Sequence, residues 1–114
     1  MRQGFVYIMT NTRNGTLYIG VTNDIIRRTH KHREAAIDGF TSKYGLKRLG
    51  WYEAHVDAPT AIRREKSLKA WQRDWKLRLI EATNPEWNDL WPGLFGEGLN
   101  AADWLATNFP IDAK

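Results

Sequence analysis

The pair Asn14-Gly15 does most to narrow the folds open to this chain. Both residues tolerate the positive φ of a tight hairpin. They lie between two short apolar, β-prone runs, Phe5-Val6-Tyr7-Ile8-Met9 and Thr16-Leu17-Tyr18-Ile19. This predicts an antiparallel hairpin with a loop over 11–15, which brings Tyr7 and Tyr18 into one small sheet. Whether the two rings share a face depends on register. Gly20 follows and is expected to free the backbone for a turn. Thr22, Asn23 or Asp24 can then cap a helix by accepting a first-turn N–H.

That helix is expected from about Asn23 to Ile37, with Ile25, Ile26, Thr29, Ala36 and Ile37 inward and Arg27, Lys31, Arg33 and Glu34 outward. Arg28 and His32 stand at i and i+4, on one face. A phenol (Tyr18), a fixed cation and an imidazole can therefore converge, a set suited to phosphate chemistry. The ordinary alternative is a half-buried strand tyrosine beside a solvated basic helix. His30 and His32 point different ways on a helix, so they do not share a metal ion. Residues 40–45 read as a loop in which Tyr44 packs. Leu46 to His55 reads as a third strand, with a bulge or a close backbone approach at Gly50.

A second helix is expected to open at Asp57-Ala58-Pro59, with an apolar stripe of Ala58, Ala61, Ile62 and Leu68. Glu65 falls inside that stripe. An inward carboxylate is unfavourable unless it is paired or binds a cation. Position alone leaves two readings open: a buried salt bridge to an arginine such as Arg28, or a ligand for Mg²⁺, which keeps its own waters and needs few protein oxygens. The helix continues through Trp71 and Trp75, both expected in the core, with a break near Arg73-Asp74. Asn84-Pro85 ends it. Trp87 and Trp91 are expected to fold back, and Asp103 to Thr107 to form a short helical turn.

At 114 residues the chain is expected to form one main unit, residues 1–90, followed by an acidic, Trp- and Gly-containing tail, 91–114. No cysteine is present, which removes thiol catalysis and disulfides. The sequence contains neither a transmembrane-length apolar run nor a signal-peptide core, so a cytoplasmic protein is expected. The net charge of +4 is unevenly spread: residues 1–83 carry 16 Lys and Arg against 8 acids, while residues 84–114 carry one Lys against 5 acids. A basic folded part favours a polyanion such as nucleic acid.

The ordered set of Tyr7, then Tyr18-Ile19-Gly20, then Arg28 and His32, then Glu65 within Arg63-Arg64-Glu65-Lys66, resembles the GIY-YIG nuclease superfamily over about residues 3–90. It is most similar to small stand-alone bacterial members related to the excision-repair incision subunit. The first motif departs from the family, with Phe5-Val6-Tyr7 where Gly-Ile-Tyr is usual. The resemblance implies an α/β (α+β) fold, a small three-stranded antiparallel sheet flanked by helices. It also implies an endonuclease that hydrolyses DNA phosphodiesters with one Mg²⁺ or Mn²⁺, in repair or recombination. Carried over residue by residue, the catalytic set is Tyr7, Tyr18, Arg28, His32, Glu65 and Asn84, with Asn88 as the alternative asparagine and Glu65 as the metal ligand.

In that scheme Tyr18 activates water and His32 or Tyr7 relays its proton. Ionising a phenol at neutral pH requires about 4 kcal/mol from nearby cations. Arg28→Ala should therefore hurt more than a distant change such as Lys76→Ala. The cations expected to meet DNA are Arg27, Lys31, Lys43, Arg63, Arg64 and Lys69. The alternative is a non-catalytic nucleic-acid-binding module of the same fold. A third reading gives the tryptophan-rich tail a partner contact or a homodimer interface.

Overall fold

The computed structural model describes residues 3–34, 39–95 and 101–108. Strands β1 (Gly4–Thr10), β2 (Leu17–Thr22) and β3 (Arg48–His55) form an antiparallel sheet in the order β2-β1-β3. Helices α1 (Ile25–Arg33) and α2 (Phe40–Tyr44) lie between β2 and β3. Helices α3 (Ala58–Ala70) and α4 (Arg73–Thr83), a 3₁₀ turn (Trp91–Leu94) and α5 (Ala101–Asn108) follow. The sheet is thus flanked by helices, as the sequence predicts. Among the described residues, no helix is long and apolar enough to cross a membrane.

The hairpin forms where expected. Asn14 takes φ 58° and Gly15 N–H donates to the Thr12 carbonyl at 2.9 Å. Register then settles the tyrosines. Tyr7 stands opposite Gly20 and Met9 opposite Tyr18. Side chains alternate along a strand, so Tyr7 and Tyr18 lie diagonally on one face. Gly20 makes no turn: it is inside β2, and a Cβ there would meet the Tyr7 ring and hydroxyl at 2.5 Å. Its role is to make room for Tyr7. The register of β1 against β3 shifts between Ile8 and Met9, because Gly50 is the extra residue of a bulge.

Each face of the sheet has its own core. One gathers Tyr7, Met9, Ile25, Leu49 and Trp91; the other gathers Ile8, Ile19, Leu68, Ile80 and Trp87. Helix α1 is capped by Asp24, which accepts from Arg27 N–H at 3.1 Å, and α3 by Asp57, which accepts from Thr60 N–H at 2.9 Å. Ile25, Thr29 and His32 are the buried side of α1, whereas Ala36 and Ile37 lie outside the described residues. Arg33 is not an outward charge: it pairs with Asp89, and its guanidinium lies 4.7 Å from the Trp91 ring centre.

Residues 40–44 form a short helix where a loop is predicted, and Tyr44 is exposed. Strand β3 starts at Arg48, two residues later than predicted. The α3–α4 break falls at Trp71-Gln72, slightly before the predicted place. Ile62 and Trp75 are exposed: burial on α3 follows Ala61, Glu65 and Leu68, and Trp75 packs edge-on to Trp71. Trp87 and Trp91 do fold back and are buried. Helix α5 reaches α1 through Trp104 beside His30, and Arg27 donates to Asn108 Oδ1 at 2.8 Å.

Candidate active site

The β1–β2 register and helix α1 build one cluster. The Tyr7 hydroxyl lies 2.9 Å from His32 Nε2, and His32 Nδ1 lies 2.9 Å from Thr41 Oγ1 on α2. The Tyr18 ring is 6.4 Å from that of Tyr7 and 5.5 Å from His32. Arg28, one turn before His32, is close enough for its charge to pull the Tyr7 phenol down. Tyr7 and His32 share one hydrogen bond, and His32 and Thr41 another, so the imidazole links β1 to α2.

Burial sets the protonation of this cluster. Tyr7 has no exposed surface; its phenol is pushed well above the ordinary range first by desolvation and then by Tyr18, against the opposing pull of Arg28. His32, 3% exposed, is lowered to about 4, chiefly by burial and secondarily by the Arg28 charge. Tyr7 and His32 are consequently both neutral across physiological pH. Both hold their neighbours in place more readily than they exchange protons. Tyr18 is half-buried and borders a cavity of about 330 Å³ that opens at the sheet edge. Arg28 is exposed.

Glu65 projects from the inward side of α3, with only 11% of its side chain exposed. Its negative charge reaches Tyr7 and helps to raise that phenol. The ion pair expected with Arg28 is not the one formed: Lys69 Nζ sits 2.6 Å from Glu65 Oε2, one helical turn on. Among the described residues no three His, Cys, Asp or Glu side chains group to hold an ion. Glu65 is a hard oxygen donor of the kind that an ion keeping most of its waters can use, and Lys69 occupies it in this structure.

Asn84 has other work. It caps α4, is 4% exposed, donates through Nδ2 to the carbonyls of Gly50 and Asn88, and accepts the Asn88 N–H at 3.0 Å. None of these partners belongs to the tyrosine–histidine cluster. The fallback Asn88 is one of its partners. The bulge at Gly50 and the end of α4 are tied together through this amide.

The expected DNA-facing cations divide into two sorts. Arg64 forms a fork on Glu53 at 2.9 and 3.3 Å, Lys69 is on Glu65, and Arg27 reaches Asp24 and Asn108. Lys31, Lys43 and Arg63 are exposed. Sequence reasoning missed Thr41, the residue that orients His32, because a lone threonine in an expected loop carries no signal. It also placed Lys76 far from the site, whereas Lys76 borders the same cavity as Tyr18 and Lys69.

Residues 3–78 match the model of the GIY-YIG catalytic domain. The chain belongs to the GIY-YIG family. Its relatives include the UPF0213 protein of Staphylococcus aureus (strain Mu3 / ATCC 700698) and the UPF0213 protein SAV0488 of strain Mu50 / ATCC 700699. Each is 32% identical over 81 residues, which span 71% of this chain and 98% of the relative. A solved structure, the solution NMR structure of the UPF0213 protein BH0048 from Bacillus halodurans, is 28% identical with a TM-score of 0.49, covering 76% of this chain and 92% of that one. The matched GIY-YIG span includes β1, β2, α1 and α3, and with them Tyr7, Tyr18, Arg28, His32 and Glu65. Asn84 lies beyond it.

Proposed function

We propose that this GIY-YIG domain is a divalent-metal-dependent endonuclease that hydrolyses DNA phosphodiesters, acting in the cytoplasm in repair or recombination. The observation that carries this reading is the meeting of Tyr18, Arg28 and His32 around Tyr7, with the nearly buried carboxylate of Glu65 close enough to act on Tyr7. Binding DNA does not require a carboxylate beside a polyanion. Holding a cation against a scissile phosphate does.

Glu65 would be the protein ligand of the ion. When bound, Mg²⁺ or Mn²⁺ draws charge from the phosphate and from the leaving oxygen. The side chains of the chain do the rest. Arg28 neutralises the charge that grows on the non-bridging oxygens, which is worth most where its orientation is already fixed. Tyr18, bordering the open cavity, accepts the proton of the attacking water as the phenolate, after giving its own proton to solvent. Tyr7 and His32 are positioning residues in this scheme: buried and neutral, they fix Tyr18 and Arg28 through the chain that ends at Thr41.

One observation favours a second reading, a DNA-binding module without catalysis: Lys69 Nζ occupies Glu65. A single experiment separates the two. Supercoiled plasmid is incubated with wild type and Glu65→Ala, with Mg²⁺ or Mn²⁺ and with chelator. Nicking that requires metal and disappears in Glu65→Ala supports the nuclease. A folded wild type that retards DNA but never nicks it supports the binding module.

A further inference from the structure

Strand β2 is the terminal strand of the sheet, and its outer edge carries more than the nuclease chemistry uses. Beside Tyr18 the 330 Å³ cavity is lined by Leu17, Ile19, Lys69 and Lys76. A second cavity, of about 510 Å³, continues past the hairpin loop between Asn14, Gly15, Thr16 and Arg73. Leu17 and Lys76 line both, so the two adjoin along the β2 edge and are taken together as a groove. Its cations are held in place. Arg73 donates to the carbonyls of Asn14 and Gly15 at 2.7 and 2.6 Å, and Lys76 Nζ donates to the Lys69 carbonyl at 3.3 Å. Among the described residues, no carboxylate lines either cavity.

We propose that this groove is a backbone-binding subsite for the DNA strand flanking the scissile phosphate, with Lys76 and Arg73 as its phosphate contacts. The proposal rests on the nuclease reading for where the scissile phosphate lies. Gly15 lies three positions before Tyr18, roughly 10 Å along an extended chain, so the cations lie within reach of phosphates next to the one at Tyr18. A polyanion fits a groove of fixed cations without acids. A peptide added to the β2 edge would not need Arg73 or Lys76. The groove gives a small domain affinity on one side of the cut, and so a preferred side of approach.

The test measures duplex DNA binding by fluorescence anisotropy without metal, over a salt series, alongside the plasmid assay. Wild type is compared with Lys76→Glu, with Lys76→Gln, and with Lys66→Glu, an equal charge reversal on a face of α3 that lines neither cavity. Circular dichroism checks that each variant is folded. Lys76→Glu should weaken binding about tenfold and make the salt dependence shallower by about one phosphate, with Lys76→Gln in between and Lys66→Glu within about twofold of wild type. Equal binding by Lys76→Glu and Lys66→Glu would overturn the groove, and so would a wild type that binds no duplex.

The two readings fail separately. Metal-dependent nicking with Lys76-independent binding leaves the nuclease and removes the groove. Lys76-dependent binding without nicking keeps the groove and removes the nuclease. A doubled mass by light scattering, with DNA affinity falling as protein concentration rises, would assign the β2 edge to a second copy and overturn the proposal.

Discussion

The two helices that furnish the site treat their polar residues in opposite ways. On α1, His32 is sealed into a finished chain: Tyr7 on one ring nitrogen, Thr41 on the other, with 3% of the residue exposed. On α3, Glu65 is almost as buried, but its partner Lys69 is a flexible side chain 53% exposed to solvent. The first arrangement is permanent and the second is exchangeable. A site that must hold its own geometry, yet admit a cation and a polyanion, needs one of each. The fixed half is built from groups kept neutral by burial. The exchangeable half is a carboxylate whose present counter-ion can withdraw into water.

Arg28 stands beside the fixed half, where its charge reaches Tyr7, and removing it should have the largest effect. Arg28→Ala is expected to lower the nicking rate by about 10²–10³, the size typical of a lost charge donor at a reacting centre. Lys66→Ala, on the exposed side of α3, should stay within about twofold. Single-turnover rates on nicked-plasmid formation provide the check. Similar losses for the two variants would remove Arg28 from the reacting centre.

The fixed half has a pH signature. Unfolded histidine titrates near 6.5, whereas His32 in the fold titrates at about 4, because burial and Arg28 disfavour the imidazolium. Between those values the unfolded chain binds a proton that the folded chain refuses. The stability contributed by neutral His32 is complete above about pH 6.5 and is lost as pH falls toward 4, by on the order of 3 kcal/mol at most. His30, lowered mainly by burial beside Trp91 and Trp104, adds a loss of the same sign. Urea denaturation at pH 7.5 and pH 5 should show the drop, and His32→Gln should flatten much of it. An unchanged slope in His32→Gln would mean that the imidazole is not sealed.

Gly20 tests the fixed half by steric means. Gly20→Ala places a methyl 2.5 Å from the Tyr7 ring, which cannot move without disturbing His32. Overpacking of this kind costs about 1–3 kcal/mol. Equilibrium denaturation measures it, and a loss restricted to stability, with nicking intact, would show that Tyr7 can shift without displacing the site.

How far the sequence revealed this site follows from range. The hairpin, the caps Asp24 and Asp57, and the i,i+4 pairing of Arg28 with His32 are local, and Asn14-Gly15 and the helix spacing encode them directly. The inward position of Glu65 was visible in the period of α3. What stayed hidden depends on contacts across the chain. The meaning of Gly20 appears only once Tyr7 lies opposite it. Thr41 meets His32 only because 40–44 is helical. Asn84 meets Gly50 only after the bulge has turned its carbonyl toward α4. Lys76 looked remote because sequence distance says nothing about which end of α4 passes the edge of β2.

The exchangeable half yields the smallest effect on nicking and the sharpest test. Lys69→Met leaves a nearly buried carboxylate without its counter-ion, so without metal it should lower stability by more than the loss of an exposed i,i+4 pair does. If Lys69 is the counter-ion that the metal displaces, its loss removes a competitor for Glu65. The Mg²⁺ concentration for half-maximal nicking should then fall a few-fold, although the substitution also removes a positive charge near DNA. The two effects oppose each other and separate by readout: metal dependence at saturating DNA reports the competition, and DNA affinity without metal reports the lost charge. A metal requirement that rises in Lys69→Met, at saturating DNA, would mean that the lysine organises Glu65 for the ion. Both halves of the site would then be fixed, and the contrast between α1 and α3 would be one of solvent exposure alone.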